Sequence, residues 1–167
     1  MSPGAAEPGA LRVGQGFDVH RVSDDPGRPL VLGGVRVPGA PGLAGHSDAD
    51  VLSHALADAL LGAAGLGDLG RHFPSDDPAW AGADSVALLA QVSSMVAGAG
   101  WRVVNGDCTV VCERPRLADH TEAMARCLSE VVHAPVSVKA KRAEGLGALG
   151  RVEGVAALAV VLLTAAS

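Results

Sequence analysis

The chain has 167 residues and a formal net charge of −5, a length that predicts a single domain able to bury an ordinary hydrophobic core. Only 19% of the residues are charged, and the sequence contains no basic run interleaved with aromatic residues, which argues against nucleic acid as a partner. Three widely spaced cysteines argue against a disulfide framework and favour a reducing compartment.

The N-terminal residues 1–10 have neither the basic start nor the apolar segment of a signal peptide, so we expect a disordered tail there and a single domain over 11–167. The further predicted elements, in chain order, are a strand at 11–22, an extended piece with a Gly-Gly bend at 30–37, a helix capped by Ser47 or Asp48 that runs to about Gly65, a loop at 66–83, a helix from Asp84 or Ser85 to Ala97, strands at 101–104 and 107–113, a helix at 119–132, a strand at 136–140, a glycine-rich loop at 141–150 and a buried strand at 155–164.

These elements predict an α+β fold, a mixed β-sheet covered on one side by helices. The most apolar run, 155–163, is far shorter than the roughly 20 residues of a membrane span, so we expect a soluble cytoplasmic protein without a membrane partner. Because aromatic residues are few, we expect a shallow core and burial of part of the surface against other subunits.

The helix predicted after residue 48 carries polar residues along an otherwise apolar sequence. Asp50, His54 and Asp58 step by four residues and therefore form a ladder beside the apolar face. For each of them alone, a solvated edge is the simpler interpretation, because polar side chains are mostly exposed.

A second polar motif changes that assessment. Asp18 and His20 are two residues apart on the first predicted strand, so both side chains leave the same face. Together with His54 they can form a His₂Asp set, which leaves a fourth coordination position open as in catalytic zinc sites. A plain Asp–His hydrogen bond on the sheet face remains the alternative. His46 and Ser47, at the expected helix start, could bind an anion through free N–H groups.

The sequence resembles the 2-C-methyl-D-erythritol 2,4-cyclodiphosphate synthases over residues 11–163. The motifs that carry the resemblance are GFDVH at 16–20, GHSDADV at 45–51, DALLGAAGLGDLG at 58–70, HFPSDDP at 72–78, ADS at 83–85, ERPRL at 113–117 and GRVEG at 150–154. The resemblance implies a homotrimer with active sites between subunits. It also implies cyclisation of a cytidine diphosphate-linked methylerythritol 2-phosphate with release of CMP, a step of non-mevalonate isoprenoid synthesis.

The resemblance further implies roles for individual residues. It places zinc, or another divalent transition metal, on Asp18, His20 and His54, and a magnesium or manganese ion bridging the substrate phosphates on Glu144. It assigns His46, together with Ser47, to positioning the diphosphate, with His46 in a catalytic role that stabilises the transition state, and it places Asp58 in the surroundings of the zinc. The implied substrate contacts are Asp68 and Gly70 for the ribose or diol, Phe73, Ser75, Asp76 and Asp77 for methylerythritol, Cys112, Pro115, Arg116 and Leu117 for cytidine, and Lys141, Arg142 and Arg151 near the phosphates and the trimer axis.

The chain departs from the family pattern at the turn after residue 140. Lys141-Arg142-Ala143-Glu144 replaces a threonine-rich turn, and we expect the Arg142 guanidinium to take over the diphosphate contact, because arginine suits bidentate phosphate binding. A solvated surface loop is the alternative. Ser75 stands where aspartate is common. Ala148 and Val152 replace an aromatic residue and a glycine near the trimer channel, where Arg151 and Glu153 could pair.

Two other functions stay open on the sequence alone. A non-catalytic protein of the same fold could hold a nucleotide or an isoprenoid diphosphate, as the altered 141–144 turn would allow. A zinc phosphohydrolase could use the same Asp/His set, and it would release inorganic phosphate.

Overall fold

A computed structural model describes residues 9–166 of the chain and shows a four-stranded mixed sheet, a separate two-stranded sheet and helices. The elements are β1 (Leu11–Arg21), β2 (Pro29–Leu32), β3 (Val35–Pro41), α1 (Val51–Ala64), α2 (Leu69–His72), α3 (Ser85–Gly98), β4 (Trp101–Val111), α4 (Thr121–Val132), β5 (Val136–Lys141), α5 (Gly147–Gly150) and β6 (Gly154–Ala165). The predicted α+β class with a mixed sheet is confirmed. Of the helices within 9–166, none combines the length and apolarity needed to cross a membrane.

The large sheet has the strand order β1-β6-β4-β5. Strand β6 is antiparallel to both β1 and β4, whereas β4 and β5 are parallel. Parallel neighbours need a crossover, and α4 supplies it between β4 and β5. The hydrophobic core lies where α1, α3 and α4 pack on this sheet, and it is built mainly of Leu, Val and Ala.

Several predicted boundaries are wrong. Helix α1 starts at Val51 with Asp50 as its N-cap, because the Asp50 carboxylate accepts from Leu52 N and Ser53 N, and so neither Ser47 nor Asp48 caps it. The two strands predicted at 101–104 and 107–113 form one strand, since a register shift between Val103 and Asn105 absorbs the irregularity. The predicted loops at 66–83 and 141–150 contain α2, a 3₁₀ turn at 78–80 and α5.

Of the predicted tail, residues 1–8 lie outside the described part of the chain. Ala10 is joined to the sheet end, since its carbonyl accepts from Ala165 N at 3.0 Å.

Two glycines of β1 allow α1 to approach the sheet closely. A Cβ atom on Gly14 would lie 1.9 Å from the carbonyl oxygen of Ala59, and one on Gly16 would lie 1.9 Å from that of Ala55. Two residues further along the same face of β1 comes Asp18, opposite the first turn of α1. The absent side chains at 14 and 16 therefore set the distance between Asp18 and α1.

The opposite face of β1 and β6 carries apolar side chains that the helices leave uncovered. Phe17 is 54% exposed and Val13 70%, and they lie beside Leu158 and Leu162 in the sheet register. The exposed set is Leu11, Val13, Phe17, Val19, Leu158 and Val160. One face of this sheet therefore meets the helices, and the other presents an apolar surface.

Candidate metal and substrate site

The Asp-x-His motif of β1 and His54 of α1 meet as the sequence predicted. Asp18 Oδ2 lies 3.2 Å from His20 Nε2 and 3.0 Å from His54 Nδ1. One potential ligand atom from each of the three residues lies within 4.8 Å of the others, close enough for a single metal ion. All three side chains are partly buried, as suits a site that is shielded from bulk water yet reachable.

The electrostatics of the trio favour an ionised carboxylate. Burial alone would raise the pKa of Asp18, but the hydrogen bonds from His20 and His54 outweigh it and hold that pKa well below its usual range. The hydrogen bond to Asp18 in turn raises the pKa of His20. A carboxylate oxygen and two imidazole nitrogens form a donor set suited to zinc or a similar divalent transition metal.

His20 is oriented by the backbone. Its Nδ1 lies 2.6 Å from the carbonyl oxygen of Ala44, which can only accept, so Nδ1 carries a proton. Nε2, which faces Asp18, is therefore the nitrogen that would bind a metal ion in place of its hydrogen bond to the carboxylate. The alternative of a plain Asp–His hydrogen bond also describes these contacts, but the convergence of His54 makes the cluster a candidate metal centre.

The other members of the polar ladder on α1 lie in different environments. The solvated-edge interpretation is wrong for Asp50, which is 0% exposed and accepts from Gly33 N and Gly34 N at 2.8 Å each. It thereby ties the β2–β3 turn to the start of α1. Asp58 lies close to the cluster, and its carboxylate accepts from Leu69 N at 2.7 Å, which fixes α2 against α1.

The trio opens into a cavity of about 660 Å³. Six residues predicted to bind substrate or catalyse line it: His46, Ser47, Gly70, Phe73, Ser75 and Asp76. Two other predicted residues, Asp68 and Asp77, are not among the residues that line it. Asp68 caps α2 by accepting from Arg71 N, and the carbonyl oxygen of Asp77 contacts His46 Nε2 at 3.1 Å. His46 and Ser47 precede Asp50, so they belong to the loop before α1, and the predicted free N–H groups of a helix start are not theirs.

Sequence reasoning missed three residues of this region. Trp80 lines the cavity and packs edge-on against Phe73, with ring centroids 4.9 Å apart. Arg28 donates to the carbonyl oxygens of Gly45 and Ser47 and so clamps the loop around His46. Ser85 contacts His54 Nε2 at 2.8 Å. A single tryptophan, a loop arginine and a helix-start serine carry no spacing signal that could have revealed them.

The remaining predicted substrate residues lie elsewhere on the chain. Cys112, Pro115, Arg116, Leu117, Lys141 and Arg142 line a second cavity of about 200 Å³ at the ends of β4 and β5. This cavity shares no lining residue with the one beside the metal cluster. Within one copy of the chain, the residues predicted to bind cytidine therefore lie in a different cavity from the Asp18/His20/His54 cluster.

The altered turn at 141–144 is held by a carboxylate. Arg142 donates to Glu113 Oε1 through both Nε and Nη2, and Gly145 N donates to Glu113 Oε2 at 3.3 Å. Glu144 has a φ of 53° and is exposed at the corner of this turn. Beyond it, the expected pairing of Arg151 with Glu153 is present, with Nε and Oε1 2.6 Å apart.

An α+β fold with an Asp/His/His cluster that lines a cavity defines a candidate metal-dependent enzyme. Comparison with known proteins places it more closely: residues 11–164 match the sequence profile of the YgbB family, and the chain belongs to that family. It is 55% identical to the 2-C-methyl-D-erythritol 2,4-cyclodiphosphate synthase of Bordetella avium over 156 residues, 92% of this chain and 95% of that protein. The resemblance found in the sequence motifs is confirmed.

Solved structures agree with the family assignment. The bifunctional IspDF of Campylobacter jejuni superposes with a TM-score of 0.89 at 40% identity, over 94% of this chain and 43% of that larger chain. A 2C-methyl-D-erythritol-2,4-cyclodiphosphate synthase in a CDP-bound form superposes with a TM-score of 0.81 at 39% identity, over 91% of this chain and 99% of that chain.

Proposed function

We propose that this chain catalyses the metal-dependent cyclisation of 4-diphosphocytidyl-2-C-methyl-D-erythritol 2-phosphate to 2-C-methyl-D-erythritol 2,4-cyclodiphosphate, with release of CMP, in non-mevalonate isoprenoid biosynthesis. The observation that carries the proposal is the convergence of Asp18, His20 and His54 at the mouth of a cavity, in a chain 55% identical to a protein of that name. By this reaction the enzyme is a phosphorus–oxygen lyase.

The reaction needs no nucleophile from the protein, because the substrate supplies its own. An oxygen of the 2-phosphate attacks the β-phosphorus, the bond to the bridging oxygen of the α-phosphate breaks, and CMP leaves with that electron pair. Both reacting groups are anionic, so charge neutralisation and a fixed geometry supply the rate. A divalent cation on the cluster supplies Lewis-acid neutralisation when bound. His46 and Ser47 would hold the diphosphate beside the cluster, and Phe73, Ser75 and Asp76 would surround the methylerythritol.

We propose zinc, or a similar divalent transition metal, as the ion of the Asp18/His20/His54 cluster, because two imidazoles and one carboxylate suit it. A second ion, magnesium or manganese, would be held by oxygen ligands and would neutralise charge on the substrate phosphates. Glu144 is the proposed protein ligand of that second ion, and its exposure at the corner of the turn leaves its carboxylate accessible.

We propose further that the active site is completed by another copy of this chain in a homotrimer. Two features support this assembly. The apolar face of β1 and β6 needs a cover, since contiguous exposed apolar surface of this kind is typical of interfaces. The predicted cytidine residues at 112–117 lie in a cavity separate from the metal cluster of their own chain. A neighbouring copy could bring its second cavity to the first, and sedimentation of Phe17→Asp against the wild type tests whether this face holds the trimer.

The decisive test is phosphorus NMR of the purified protein with its proposed substrate, zinc and magnesium, repeated after chelation. A cyclic diphosphate and CMP that vanish on chelation are the expected result, and His54→Ala should abolish both metal binding and turnover. Full activity of His54→Ala would overturn the metal assignment.

The same spectra separate the other functions considered. Unchanged substrate with a folded, metal-loaded protein would indicate a non-catalytic nucleotide or isoprenoid diphosphate binder, and free phosphate would indicate a phosphohydrolase. The family membership and the named relatives support the synthase over both.

We propose that residues 11–167 act as one domain, because both sheets and the long helices share one core. Its cytoplasmic location stays a prediction.

A further inference from the structure

His54 uses its two ring nitrogens for different partners. Nδ1 faces Asp18 Oδ2 at 3.0 Å, on the side of the metal cluster. Nε2 faces away, 2.8 Å from Ser85 Oγ and 3.2 Å from Ser47 Oγ. The shorter contact is with Ser85, the first residue of α3 and 31 positions away in sequence. For this ring to bind a metal through Nδ1, the proton of the neutral imidazole must be on Nε2.

The direction of the Ser85 hydrogen bonds is set by Asp48. The Ser85 hydroxyl donates to Asp48 Oδ1, and Ser85 N donates to Asp48 Oδ2 at 3.2 Å. An ionised carboxylate only accepts, so the single hydroxyl proton of Ser85 is committed to Asp48. What Oγ then offers to His54 is a lone pair, which accepts the proton of Nε2.

Asp48 and Ser85 are themselves held in place. Asp48 N donates to the carbonyl oxygen of Ala83 at 3.1 Å, which joins the loop before α1 to the segment before α3. Ser85 is 1% exposed, so water has little access to substitute for its hydroxyl. Two consecutive hydrogen bonds, from His54 Nε2 to Ser85 Oγ and from Ser85 Oγ to Asp48 Oδ1, therefore link two segments that are distant in sequence.

We propose that Ser85, oriented by Asp48, is a positioning residue that keeps a proton on His54 Nε2 and so leaves Nδ1 as the nitrogen that binds the metal. The inference rests on the proposed metal binding by Asp18, His20 and His54 and adds residues that bind neither metal nor substrate. The Ala44 carbonyl does the same for His20, so each histidine ligand has its own orienting acceptor. Loss of such a partner typically weakens metal affinity about 10–100-fold.

The test compares two buried serines that each donate to an aspartate near a helix start. Ser85→Ala removes the proposed link, whereas Ser53→Ala removes the hydroxyl that donates to Asp50 Oδ2 at 2.8 Å and leaves the His54 contacts intact. Zinc affinity is measured on metal-free protein by competition with a chromophoric chelator, and circular dichroism checks folding. We expect Ser85→Ala to weaken affinity about 10–100-fold and Ser53→Ala to leave it within about twofold.

Asp48→Asn provides a second variant of nearly unchanged shape. The asparagine amide can donate to Ser85 Oγ, so the hydroxyl proton turns to His54 Nε2, and the neutral ring holds its proton on Nδ1, which faces Asp18. Nitrogen-15 NMR of the imidazoles in metal-free protein reports this directly: Nε2 carries a proton in the wild type and loses it in Asp48→Asn. Zinc affinity should fall with the change.

The outcomes separate this inference from the function on which it rests. A wild type that binds no zinc would overturn the metal site itself. A wild type that binds zinc, with Ser85→Ala and Asp48→Asn binding it equally well and retaining protonated Nε2, would overturn the positioning role alone.

Discussion

Gly16→Ala tests whether close packing of α1 on β1 sets the geometry of the metal cluster. The new Cβ would lie 1.9 Å from the Ala55 carbonyl oxygen and 2.7 Å from Ala59 N, whereas ordinary contacts begin near 3.4 Å. Helix α1 must therefore retreat by about 1.5 Å, the difference between 3.4 and 1.9 Å. Both obstructing atoms belong to helix backbone, so no side-chain rotation relieves the clash. Overpacking of this kind typically costs about 1–3 kcal/mol.

The same retreat carries His54, which precedes Ala55, away from Asp18. Their 3.0 Å contact should lengthen, and zinc affinity should fall together with stability. The free energy of unfolding is measured by urea titration and zinc affinity by chelator competition. A loss of about 1–3 kcal/mol corresponds to a fall in Tm of about 2–12 °C for a chain of this size.

Gly62→Ala is the matched control, since it makes the same substitution on α1 where a Cβ meets nothing within 4 Å. Replacing an unobstructed helical glycine by alanine should raise stability by roughly 0.5–1 kcal/mol and leave zinc affinity unchanged. If Gly16→Ala behaved like Gly62→Ala in both assays, the glycine contact would not determine the position of the helix, and the reasoning would be refuted.

Three further perturbations are open to measurement. Asp50→Ala removes the N-cap of α1 and leaves buried backbone N–H groups without an acceptor. Urea titration should therefore show that the free energy of unfolding falls by at least about 2 kcal/mol. A fall of less than half that amount would contradict the argument from burial. Arg142→Met should raise KM for the cytidine diphosphate substrate about tenfold, because a charge-assisted contact is lost, and Arg142→Thr should raise KM less. An unchanged KM in both variants would show that Arg142 pairs with Glu113 and does not contact the substrate. The Lys139 hydrogen bond lowers the pKa of Asp107, so the ion pair stabilises the fold above the ordinary carboxyl pKa and loses that effect as pH falls through the lowered value. Lys139→Met should therefore cost under about 1 kcal/mol at pH 7 and progressively less as the solution is acidified. A cost that does not change with pH would exclude the ion pair as the cause.

The sequence predicted that Asp18, His20 and His54 come together, and the structure confirms this grouping because part of its geometry follows from local rules. Asp18 and His20 share a strand face through the two-residue period, and β1 is a regular strand along its whole length. His54 lies on a helix that the predominantly apolar residues at 51–64 predict. The motifs and their spacing indicated the family, and the order of the predicted helices and strands indicated the α+β class.

The tertiary structure decided where helix α1 begins and what its polar residues do. Ser47, Asp48 and Asp50 are all good caps by residue type, so the sequence alone offered no choice among them. Ser85, 37 residues beyond Asp48, engages the Asp48 carboxylate, and the glycines of the β2–β3 turn bring donors to Asp50. These partners are distant along the chain, and no local pattern encodes them.

The sequence by itself therefore determined which side chains could bind a metal, since that depends on the periods of one strand and one helix. Only the tertiary structure decided how those side chains are held. The clearance at Gly14 and Gly16 and the Ser85–Asp48 support of His54 depend on segments that meet only when the chain has folded. The separation of the two cavities belongs to the same class, because it depends on the strand order, which places β1 and β5 at opposite edges of the sheet.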